Sequence, residues 1–184
     1  LTGRRMINID NETEGQFITG CAGGSRVEII LPVTMEEQEG DVYKIRLEGF
    51  KGGHSGEEIH QKRVNAIKAM GYTLCKLDTP VSILSISGGS ADNVIPSAAV
   101  AEVMSTKQLP SEDILLSLLE KYIKEEGLED KGTLSVEYEG RRPATVWDLN
   151  STESAICLLN ELPDAVISMD QVDPEFVETS LNTG

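Results

Sequence analysis

Apolar and polar positions alternate in some stretches of the chain and recur at three and four in others. Tyr43, Ile45 and Leu47 alternate with Lys44, Arg46 and Glu48, the period of a strand with one wet face. Val27, Ile29, Leu31 and Val33 alternate as well and predict an earlier strand stopped near Pro32. Met6, Ile7 and Ile9 predict a first strand that runs into Asp10-Asn11-Glu12. The acidic stretch Glu36-Glu37-Gln38-Glu39 reads as a solvated hairpin tip. A helix is expected to begin at Ser55, which with Glu58 three residues on makes a capping box. Ile67, Met70, Leu74 and Leu77 share one helical face, and Pro80 closes it.

Val81 to Ile86 and Ala98 to Met104 read as strands around a Gly88-Gly89 turn. Ser111 opens a second helix with Ile114, Leu115, Leu118, Leu119, Tyr122 and Ile123 on its stripe, and Gly127 is a C′ stop. Leu134, Val136 and Tyr138 alternate as a further strand. Asn150 is expected to cap a third helix bearing Ala155, Ile156, Leu159 and Leu162, closed by Pro163. Ala165 to Met169 and Phe176 to Leu181 are the last expected strands. From Asp41 to Glu139 the order is β-α-β-β-α-β, the ferredoxin-like split βαβ arrangement. The expected class is α+β: an antiparallel sheet with helices on one face, plus extra strands and a third helix.

Composition narrows the partners. The 184 residues include 16 basic and 31 acidic side chains, a net charge of −15 at pH 7. Such a surface is a poor match for nucleic acid or for an anionic membrane. No run reaches the ~20 apolar residues that span a bilayer. Cys21, Cys75 and Cys157 match no metal-ligand spacing and read as reduced thiols, which suits a cytoplasmic protein.

Candidate chemistry lies in a few segments. Asp10-Asn11-Glu12-Thr13-Glu14-Gly15 mimics the start of a calcium loop, but its twelfth position is Cys21 rather than a bidentate Glu, so that reading fails. In Gly52-Gly53-His54-Ser55-Gly56 the glycines allow unusual backbone angles, and His54 can hydrogen-bond a substrate oxygen. The segment is neither a serine nucleophile elbow nor a phosphate loop. His60 lies about 120° from His54 on helical geometry, so the two make no metal pair, and His60 reads as a partly buried helix residue. Asn93, in the turn Gly88 to Pro96, can bind a carboxylate or carbonyl through its amide. Trp147 reads as packing and Arg141-Arg142 as a surface pair.

Five segments in order resemble one family: Met6 to Asp10, Gly20 to Gly24, Gly52 to His60, Asn93-Val94-Ile95-Pro96, and Val177 to Asn182. It is the aminoacyl-histidine dipeptidases, in the di-zinc peptidase clan that includes carnosinases. The resemblance implies a catalytic domain with two zinc ions and an inserted lid that also dimerises. It divides the chain into a catalytic-domain flank (1–24), a lid and dimerisation domain (25–175) and a return flank (176–184). It implies that Asp10 binds zinc, that His54 stabilises the oxyanion, and that Asn93 contacts the substrate. The remaining zinc ligands and the general base are expected outside the chain, so the chain alone is not expected to hydrolyse peptides. The implied partners are a dipeptide substrate and a second copy in a homodimer. The competing reading is a non-catalytic ferredoxin-like module for dimerisation or small-ligand binding.

Overall fold

The structure, a computed structural model, describes residues 14–15 and 23–184. Its elements in chain order are β1 (Met35–Glu48), β2 (Gly53–His54), α1 (Ser55–Glu58), α2 (Ala66–Cys75), β3 (Ser82–Gly88), β4 (Val94–Ile95), β5 (Ala99–Ser105), α3 (Glu112–Glu125), β6 (Thr133–Trp147), α4 (Leu149–Glu161), β7 (Ala165–Met169) and β8 (Val177–Leu181). Four strands form one antiparallel sheet in the order β3-β5-β1-β6, which is the ferredoxin-like order expected from the sequence. Two further two-stranded ladders, β2-β4 and β7-β8, lie outside it.

The alternation in β1 divides the sheet into two faces. Tyr43, Ile45 and Leu47 are buried, together with Ile83, Ala101, Val103 and Leu134 from the other strands. Ala66, Ala69, Met70 and Leu74 of α2 and Leu115, Leu119 and Tyr122 of α3 join them in the same core. The intervening positions carry charge. Lys44 pairs with Glu102 at 2.6 Å and with Glu139 at 3.7 Å, and Arg46 with Glu137 at 3.9 Å. One face therefore holds the helices and the other carries ion pairs across neighbouring strands. The third helix, α4, lies against α2, where Gly71 leaves room for Leu159: a Cβ there would stand 2.8 Å from the Leu159 Cβ.

Several expectations are corrected. Residues 27–33 form no strand; Val27 and Ile30 are 78% and 80% exposed. Their alternation mimics a strand, but no sheet edge receives it. Glu36 to Glu39 is no hairpin tip, because these residues lie inside β1 and face Pro143 to Val146 of β6. Pro143 is accommodated because β6 is an edge strand. The helix expected from Ser55 is two helices, α1 and α2, separated by residues 59–65, with Lys62 at φ 51°. His60 sits in that break and is exposed rather than partly buried. Asp148, not Asn150, caps α4, accepting the Ser151 N–H at 2.8 Å. Trp147 packs against the core as expected. Arg141 and Arg142 stay on the surface, where they pair with Glu39 and Glu139.

Candidate functional site

The short ladder β2-β4 brings His54 and Asn93 to one place. His54 pairs with Val94 in register, and the Ser55 N–H donates to the Asn93 carbonyl at 2.9 Å. Both side chains are exposed. Asp10, the expected metal ligand, lies outside the described residues.

The backbone before His54 is shaped by two glycines, Gly52 at φ 60° and Gly53 at φ 131°. A Cβ on Gly53 would overlap the Arg63 guanidinium and the Glu58 carboxylate, so these charged groups close directly over the bare backbone. Arg63 Nη2 donates to Glu58 Oε1 at 2.6 Å, and Arg63 Nη1 donates to the Gly52 carbonyl. Glu58 Oε2 accepts the His54 backbone N–H at 2.9 Å. The hydrogen bond from Arg63, then that from the His54 N–H, hold the Glu58 carboxyl below its ordinary pKa. The capping box expected with Ser55 is thus shifted by one residue. His54 is the N-cap, and Glu58 reaches back to it.

His54 also caps with its side chain: Nδ1 accepts the Gly56 N–H at 3.1 Å. In the neutral ring that bond leaves the proton on Nε2. The imidazole thereby presents an Nε2–H donor, fixed in tautomer by its own helix turn. Asn93, exposed in the turn whose carbonyl accepts the Ser55 N–H, adds an amide on the adjoining backbone. This pair can donate hydrogen bonds to a substrate carbonyl or carboxylate. Among the described residues no group of three or more His, Cys, Asp or Glu is placed to hold a metal ion.

Two polar devices escaped the sequence reading. Asn182 Nδ2 donates to the carbonyls of Asp92 and Val94, at 3.0 and 3.1 Å, on either side of Asn93. Asn65, 1% exposed, accepts the N–H groups of Ile67 and Lys68 and so caps α2. Its Nδ2 donates to Asp164 Oδ1 at 2.9 Å and to the Thr183 carbonyl at 2.7 Å. Beside it, Lys68 Nζ donates to the carbonyls of Leu159, Asn160 and Leu162, closing the C-terminus of α4. Burial lowers the Lys68 pKa and raises that of Asp164. Hydrophobic periodicity carries no signal for such residues. The only hint was that Asn182 closes a family-like segment.

The chain is similar to several known proteins. Residues 45–131 match the family model described as a peptidase dimerisation domain. Over that span the chain is similar to the peptidase dimerisation domains. It is 33% identical, over 189 aligned positions and 97% of its length, to the cytosol non-specific dipeptidase of Escherichia coli (strain K12). It spans 38% of that relative. The crystal structure of aminoacylhistidine dipeptidase from Vibrio alginolyticus superposes with a TM-score of 0.62 at 29% identity. That superposition covers 82% of this chain and 33% of the other. The matched span of the dimerisation domain includes β2 and His54 as well as Asn93 and β4. Asn182 and Thr183 lie beyond it.

Proposed function

We propose that this chain is the lid and dimerisation part of a dipeptide-hydrolysing metallopeptidase of the aminoacyl-histidine dipeptidase type. Residues 25–175 form the lid, and 1–24 and 176–184 are its connections to a catalytic domain. The observation that carries the reading is the convergence of His54 and Asn93, with the His54 proton held on Nε2 by the Gly56 N–H. When the scissile carbonyl is attacked, negative charge gathers on its oxygen, and the Nε2–H donates to it. One such donor is worth about 3 kcal/mol in a water-poor site. The Asn93 amide orients the dipeptide.

Asp10 is the one zinc ligand expected from this chain, and the remaining ligands would come from residues outside it. Zinc would supply an activated attacking water. His54 acts on the opposite side of that event, on the carbonyl oxygen. The protein works in the cytoplasm as a homodimer. Among the described residues no helix is long and apolar enough to cross a membrane.

The test uses the full-length protein. His54→Ala should lower kcat for dipeptides by ~10²–10³-fold while bound zinc, measured by atomic absorption, stays at the wild-type level. Turnover within threefold of wild type would remove His54 from this role.

A further inference from the structure

The loop that carries Asn93 has little beneath it. Ala91, Asp92 and Asn93 are exposed, and β4 is two residues long. Yet three consecutive carbonyls of this loop each accept a hydrogen bond from another part of the chain. Asp92 and Val94 receive the two protons of Asn182 Nδ2, and Asn93 receives the Ser55 N–H. Asn182 itself stands just past β8, and its Oδ1 is buried without a partner. An acceptor left unpaired is what remains when a side chain is placed for its donors alone. The neighbouring residue is pinned as well: the Thr183 N–H donates to Asp164 Oδ1 at 2.8 Å, and its carbonyl accepts from Asn65.

From this we infer that Asn182 is a positioning residue for the site: its amide fixes the backbone on both sides of Asn93 and, through the Asn93–Ser55 bond, sets where His54 stands. The inference rests on the reading of His54 as an oxyanion donor. It adds that the segment leaving the lid is wired to both substrate-facing side chains. A shift of that segment relative to α2 then moves His54 and Asn93 together.

Asn182→Asp is the informative change. It keeps the shape, removes both donors and sets a carboxylate oxygen against two carbonyls. The experiment is a double-mutant cycle in the full-length enzyme with a dipeptide substrate. It is read alongside amide hydrogen exchange at Ser55, with the Ala66 amide, which donates to Pro96 at 2.9 Å, as internal reference. The expected result is a fall in kcat of ~10–100-fold for Asn182→Asp, faster exchange at Ser55, and unchanged exchange at Ala66. In the His54→Ala background the same change should cost only a few-fold, because Asn93 alone is left for it to position. Equal losses in both backgrounds, or an unchanged Ser55 amide, would overturn the inference. If His54→Ala alone leaves kcat unaltered, the reading of His54 fails, and the Ser55 exchange still decides whether Asn182 holds the loop. Should Asn182→Asp not fold, Asn182→Ser is read by the same exchange measurement.

Discussion

Replacing Asn65 by Ala should be among the most damaging single changes in the domain, although Asn65 is polar and carries no chemistry. Its side chain is 1% exposed and joins three elements. Its oxygen accepts two N–H groups at the start of α2, and its nitrogen donates to Asp164 and to the Thr183 carbonyl. Loss of the cap costs about 1 kcal/mol. Leaving Asp164 and the Thr183 carbonyl each short of a buried donor costs about 1 kcal/mol apiece at the low end. The expected total is about 3 kcal/mol. With a urea slope of about 2 kcal/mol/M, the midpoint falls by about 1.5 M. Equilibrium urea denaturation of the purified chain, followed by circular dichroism and by Trp147 fluorescence, measures this and tests for a single transition. Asn65→Asp separates the parts: it keeps the acceptor that caps α2, removes the donors and places a carboxylate beside Asp164. A loss below about 1 kcal/mol for Asn65→Ala would show that the network is not holding α2, β7 and β8 together.

Other outcomes follow from the same structure. Burial lifts the Asp164 pKa by more than the hydrogen bonds from Thr183 and Asn65 and the Lys68 charge depress it. The native state then keeps a proton that the unfolded chain has released, so the Asp164 contribution to stability falls as pH rises from about 4 through the folded value. Urea midpoints across pH 4 to 7 should show that decline in wild type and a flatter profile in Asp164→Asn; parallel profiles would contradict it. Gly53→Ala puts a Cβ into the Arg63–Glu58 pair at φ 131°. It should displace His54 and lower kcat of the full-length enzyme by ~10-fold or more, with a smaller change in KM. Ile45→Ala, at a fully buried position in the C-terminal half of β1, should destabilise the domain by about 3 kcal/mol, again read from the urea midpoint.

The parts of the fold that were legible in the sequence are those where burial imposes a period. Tyr43 to Leu47, the α2 face Ile67-Met70-Leu74 and the α3 stripe pack where their spacing places them, except Ile114, which is exposed. The N-terminal half of β1 was hidden because it meets only the edge strand β6, so both of its faces tolerate charge. Val27 to Val33 misled for the opposite reason: their alternation meets no partner strand, and Leu31 packs against the core without one. The break between α1 and α2 is set by the Arg63–Glu58 clamp over Gly53, a tertiary contact with no periodic signature. For the site, residue type and local motif singled out His54 and Asn93. Their meeting depends on a two-residue ladder that only the folded chain defines. Asn65 and Asn182 act through single hydrogen bonds to distant backbone, which no spacing rule anticipates.

In the proposed mechanism His54 binds the transition state of dipeptide hydrolysis rather than the substrate. The direct measurement is the affinity of a phosphinic dipeptide analogue, whose tetrahedral oxygen mimics the oxyanion, for the full-length wild type and for His54→Ala. Analogue affinity should fall by ~10²-fold, in step with kcat/KM, while substrate KM moves little. Analogue affinity unchanged by the substitution would contradict it.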